Sequence, residues 1–101
     1  MAALRRYAAD ELASRPEVRE ATLIGSLARG DWSARSDADV VLIVDSSAER
    51  GALRGAGYAP RRAVGVTVDV LVYTPEEAAD WRPRFRGEVE EGVSLYRRGA
   101  Q

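Results

Sequence analysis

Residues 39–44 read Asp-Val-Val-Leu-Ile-Val, and this short run constrains the fold more than any other stretch of the chain. Five consecutive apolar residues, four of them β-branched, are too few for a stable helix and read as a strand. On a strand, alternate side chains point to opposite faces. Asp37, Asp39, Val41 and Ile43 therefore share one face, and Ala38, Val40, Leu42 and Val44 share the other. Both faces turn apolar after Asp39, so the strand belongs in the middle of a sheet that is covered on both sides. That excludes an isolated hairpin and calls for a layered α/β (α+β) fold. The two aspartates then mark the start of a strand at the edge of a buried layer.

The flanking sequence supplies the other layers. Leu4, Ala8 and Leu12 form an apolar stripe at helical spacing over residues 2–14, and Pro16 closes that helix. Val18 to Ile24 reads as a strand that runs into Gly25, followed by a short helix at 26–29 that Gly30 and Asp31 end. A polar loop at 31–36, in which Trp32 is read first as a packing residue, leads to the strand Asp37–Asp45. Ser46 and Ser47 can cap a helix over 47–56, and residues 58–62 are a loop or sheet edge. Val64 to Tyr73 alternates valines with Thr67, Asp69, Leu71 and Tyr73, a strand pattern interrupted by one acidic residue. Thr74-Pro-Glu-Glu77 has the residues of a capping box opening a helix that breaks near Pro83. A helical piece over 85–91 and a last strand over 93–97 follow. The expected architecture is one domain, residues 1–101, with a mixed sheet of about four strands and helices packed on it.

Composition narrows the chemistry. The chain has no Cys and no His, which excludes disulfides, Cys or His zinc sites, and Cys-His or Ser-His-Asp nucleophiles. A catalytic metal would have to be held by oxygen, which favours Mg²⁺, Mn²⁺ or Ca²⁺. All basic residues are Arg, yet the net charge is −1, so no broad footprint for nucleic acid is expected. The Arg82/Arg84/Arg86 group is read as a solvated face, or as a contact for an acidic partner or RNA. No apolar run is long enough to span a membrane and no secretory leader is readable, so a cytoplasmic location is expected.

Three features suggest a site. Gly25-Ser26 ends a strand and opens a short helix, so its backbone N–H groups and a hydroxyl can meet a phosphate. Asp37 and Asp39 share one strand face, where their mutual repulsion is relieved by a divalent cation. Each also has an ordinary reading, as a plain turn and as two solvated aspartates at a strand start. Asp69, set among β-branched residues, needs compensation, either from a shared metal or from an arginine such as Arg35 or Arg62. If its strand neighbours the 37–45 strand, it becomes a third carboxylate at one metal site.

Together Gly25-Ser26-Leu-Ala-Arg-Gly30, Ser36-Asp37-Ala-Asp39-Val-Val-Leu42 and Val68-Asp69-Val-Leu-Val72 resemble the DNA polymerase β-like nucleotidyltransferase pattern. The Gly-Ser-x-Ala-Arg-Gly form and the ending Glu91-Gly-Val-Ser-Leu-Tyr96 are similar to the minimal nucleotidyltransferases, over roughly residues 18–96. The resemblance implies that Gly25 and Ser26 hold the triphosphate of ATP. It implies that Asp37 and Asp39 bind two Mg²⁺ ions, and that Asp69 completes one metal site and activates an acceptor hydroxyl. Arg29 is assigned either to the triphosphate or to capping the short helix. The resemblance also implies an antitoxin that transfers AMP to a tyrosine of a HEPN-domain toxin ribonuclease. Two alternatives stay open: an antitoxin that acts by binding alone, and an aminoglycoside-type transferase acting on a small molecule. The short segment between Asp45 and Asp69 leaves the base preference open.

Overall fold

A computed structural model describes residues 6, 12, 15–25, 28–30, 38–46, 62–63 and 66–99. Five strands and two helices follow in the order β1 (Val18–Ile24), β2 (Ala38–Val44), β3 (Arg62–Ala63), β4 (Val66–Tyr73), α1 (Pro75–Ala79), α2 (Pro83–Glu90) and β5 (Val93–Arg97). The spatial order is β3-β4-β2-β1-β5. β2 runs parallel to β4 and antiparallel to β1, so the sheet is mixed. The expected sheet of four strands is present, and β3 adds a two-residue edge pairing Arg62 with Thr67 and Ala63 with Val66.

β2 occupies the centre, as its double-faced apolar run requires. Val40, Leu42 and Val44 pack with Ala21 and Leu23 of β1, Val72 of β4 and Leu95 of β5 in one buried cluster. Leu12 and Val18 complete it, both fully buried. On the opposite face Val41 is also buried, at 1% exposure. Truncating a residue such as Leu42 to Ala would cost about 2–5 kcal/mol, through lost transfer energy and the cavity left behind.

A register shift between Val18 and Glu20 explains a departure from simple alternation. One extra residue on β1 brings Val18 into phase with Ala21 and Leu23 on the core face and leaves Arg19 exposed. A second shift, between Ala21 and Thr22, lets β5 follow the twist of β1.

The capping box is built as the sequence implies. The Thr74 hydroxyl accepts from the Glu77 backbone N–H at 3.2 Å, and the Glu77 carboxylate accepts from the Thr74 N–H at 3.0 Å. The second helix begins earlier than the expected residue 85. Pro83 occupies its first turn, where a missing N–H costs nothing, so the break falls at Trp81–Arg82 and not within the helix. Arg86 folds back and donates to the Ala79 carbonyl at 2.7 Å, closing the end of α1. The arginine group is therefore not uniformly a solvated face: Arg86 is exposed but holds the corner between the helices.

Trp81 packs edge to face on both Tyr73 and Phe85 in that corner, and Tyr73 and Phe85 meet at a tilt, with centroids 4.9 to 5.9 Å apart. The Trp81 indole N–H is buried there without an acceptor among the described residues, an arrangement that costs roughly 1–3 kcal/mol. Gly92 joins α2 to β5 at a tight crossing, where a Cβ would lie 2.6 Å from the Leu23 carbonyl oxygen. The glycine of the 91–96 motif is thus a packing requirement. Within the described residues β4 runs Val66–Tyr73 and β2 runs Ala38–Val44, with Asp45 just past its end; residues 37, 64 and 65 of the expected strands lie outside the described residues. The expected helix over 47–56, the 31–36 loop with Trp32, and most of the expected 2–14 helix lie outside the described residues.

Candidate functional site

The site forms where three central strands meet at one end of β2. β1 delivers its last residue, Ile24, opposite Asp39 of β2. β4 delivers Asp69 to the register position of Asp39 on the other side. In a parallel pair, residues in register share a face, so the two carboxylates stand side by side on strands about 4.8 Å apart. Both residues are half-buried. The sequence left open whether the strand of Asp69 neighbours that of Asp39; the ladder shows that it does.

Immediately after Ile24 the chain turns at Gly25, whose φ is +84°. That left-handed conformation favours glycine on its own. A second constraint acts at the same residue: a Cβ on Gly25 would lie 3.2 Å from Asp39 Oδ2. The glycine therefore turns the chain and leaves room for the carboxylate beside it. The Arg29 N–H donates to the Gly25 carbonyl at 3.3 Å, and Gly30, φ +89°, ends the turn. Ala28 packs on the core, while Arg29 is exposed. The geometry of the turn does not divide Arg29 between its two expected roles.

The structure thus brings together Gly25, Asp39 and Asp69. Ser26 and Asp37 lie outside the described residues. Among the described residues no group of three acidic side chains is placed to hold a metal ion. Asp69 makes no ion pair with any described residue, and the side chains of Arg35 and Arg62 fall outside them. Like charges directly opposite one another destabilise a ladder. An oxygen-only donor pair on adjacent strands fits a hard divalent cation such as Mg²⁺, which relieves that repulsion.

The other end of β2 carries a different acidic residue, which the sequence marked merely as the end of a strand. Asp45 accepts from Arg19 Nε at 2.8 Å and from both terminal nitrogens of Arg98, at 2.9 and 3.0 Å. These two guanidiniums hold its carboxyl at about 2, below the ordinary 3.8, with Arg98 the larger influence. Arg98 also donates to the Pro16 carbonyl at 2.8 Å. The group ties the start of β1, the end of β2 and the end of β5. Its members are 26 and 53 residues apart in the chain, so no local pattern could reveal it.

A family model for the nucleotidyltransferase domain matches residues 5–96, which takes in the whole candidate site and all of the sheet except the last residue of β5. Comparison with the curated proteins gave no match. No helix among the described residues is long and apolar enough to cross a membrane.

Proposed function

The chain belongs to the nucleotidyltransferase domain family, and on that premise we propose that it is a Mg²⁺-dependent enzyme transferring AMP from ATP to a tyrosine hydroxyl of a HEPN-domain toxin partner. In this role it is a cytoplasmic antitoxin. The observation that most supports the reading is the placement of Asp69 in register with Asp39, beside a left-handed Gly25 at which a Cβ would crowd the Asp39 carboxylate.

In the proposed reaction the Gly25–Ser26 turn receives the triphosphate. Gly25 lets phosphate oxygens approach the backbone, and Ser26 supplies a hydroxyl. Asp37, Asp39 and Asp69 hold the metal. Bound Mg²⁺ would neutralise charge on the attacking and leaving oxygens. Asp69 orients the acceptor hydroxyl and takes its proton. The acceptor oxygen forms a bond to the α-phosphorus, the bond from that phosphorus to the pyrophosphate oxygen breaks, and pyrophosphate leaves with the electron pair. Arg29, exposed on the turn, is available to the triphosphate.

The test is to incubate the protein with ATP labelled at the α-phosphate, Mg²⁺ and a HEPN-domain protein from an adjacent reading frame. Label on the partner, lost with Asp39→Ala, is the expected result. Absence of label, or label that survives Asp39→Ala, contradicts the reading. If Asp39→Ala still protects cells from the toxin, neutralisation rests on binding alone.

A further inference from the structure

Leu71 is the one large apolar side chain that stands exposed among the described residues, at 38%. It lies on β4 two positions beyond Asp69, on the same strand face. Its register partner on β2, Val41, is only 1% exposed. The helices make the difference. α1 packs on β2 and α2 on β1, while Tyr73, the next residue of this face of β4, lies against Trp81 and Phe85. Leu71 is left open between that aromatic corner and the candidate site.

A single exposed leucine is ordinary on a protein surface; its position beside Asp69 is what gives it meaning. The site has two sides. Gly25, at the proposed triphosphate end, follows β1, and Asp69 stands on β4; these strands flank β2 on opposite sides. In phosphoryl-transfer chemistry the attacking and leaving oxygens stand roughly in line across the phosphorus. With pyrophosphate leaving on the β1 side, the acceptor hydroxyl enters on the β4 side, where Leu71 is the next side chain of the face.

We propose that Leu71 is the specificity residue for the acceptor, carrying the ring of a tyrosine whose hydroxyl meets Asp69. The inference rests on the transferase reading above and adds a residue that selects the acceptor type. Residues two apart on a strand are separated by about 6.6 Å along it, which matches the reach of a tyrosine from its backbone to its hydroxyl. A tyrosine laid along β4 therefore spans Asp69 and Leu71, with its ring on the leucine. A serine or threonine hydroxyl at Asp69 stops short of Leu71 and gains nothing from it. The phenol passes its proton to Asp69 as its oxygen bonds to the α-phosphorus, and pyrophosphate leaves with the electron pair of the broken bond.

The test uses the full chain, α-labelled ATP, Mg²⁺ and the HEPN-domain protein from the adjacent reading frame. Mass spectrometry locates the label, and steady-state kinetics separates the acceptor from ATP. Label should fall on a tyrosine. Leu71→Ala should lower kcat/KM for the partner about tenfold, with KM for ATP unchanged. Leu71→Gln, similar in size but polar, should show the same loss, and Leu71→Met, which keeps the apolar volume, should retain most of the wild-type rate. Leu71 is exposed, so these substitutions leave the core intact, and the Gln variant carries the test even if the Ala variant does not fold. Label on a serine or threonine overturns the role of Leu71 and leaves nucleotidyl transfer standing. So does a partner kcat/KM indifferent to Leu71→Ala and Leu71→Gln, a loss that Leu71→Met shares, or a loss that falls on KM for ATP. No label from the wild type overturns the transferase reading, and this inference with it.

Discussion

The two ends of β2 carry the same side chain in opposite electrostatic settings. At one end Asp45 is wrapped by two arginines that hold three chain segments together. At the other, Asp39 stands in register with a second carboxylate, and the turn at Gly25 leaves its carboxylate room. An acid satisfied by guanidiniums is a fastening. Two acids placed side by side on neighbouring strands make an oxygen donor pair that fits a divalent cation. The difference separates the carboxylate that fastens the sheet from the pair proposed to hold a metal more clearly than sequence position does.

Substitutions at the two ends should therefore have opposite signatures. Asp39→Asn should lower nucleotidyl transfer at least about a hundredfold, because a metal-holding oxygen is lost. Gly25→Ala comes next: it should cost roughly 1–2 kcal/mol from the positive φ and lower transfer about tenfold as the added methyl crowds Asp39. Thermal unfolding and steady-state assays read both effects.

At the far end the expectation inverts. Asp45→Asn should lower the melting temperature at neutral pH and leave transfer intact. Its pH dependence has a definite sign. A carboxyl held at about 2 in the fold, against an ordinary 3.8, adds stability that is present above the ordinary value. That contribution drains away as the pH falls from about 4 towards 2. Thermal scans across that window should show wild type and variant converging. The smallest effect is expected at neither end: Arg84→Ser, on an exposed turn of α2, should change stability by under about 0.5 kcal/mol and leave transfer unchanged.

Much of this comparison was legible in the chain before its structure. β1 was readable to its exact bounds, because Pro16 and Gly25 punctuate the segment that holds it. The centrality of β2 followed from apolar residues on both faces. Asp39 was readable as a candidate because it shares a strand face with Asp37, and Asp69 because it interrupts a run of β-branched residues. What spacing could not supply was their adjacency, which depends on the parallel register of strands about thirty residues apart in sequence. The Asp45 fastening was invisible for the same reason, since Arg19 and Arg98 are distant in sequence and arginines are common throughout the chain. The β1 register shifts escaped too: an alternating pattern records a bulge only as a slip in phase. Pro83 was read as an interruption, although proline at a first turn starts a helix as readily as it stops one.

The central claim is that Asp39 and Asp69 jointly hold a divalent cation with the nucleotide. Titration of Mn²⁺, followed by its electron paramagnetic resonance signal, tests it most directly when done with and without a non-hydrolysable ATP analogue. Wild type should bind Mn²⁺ more tightly in the presence of the analogue, and Asp39→Asn and Asp69→Asn should each weaken that binding at least about tenfold, while Asp45→Asn leaves it unchanged. Undiminished nucleotide-dependent Mn²⁺ binding in both site variants would contradict the account.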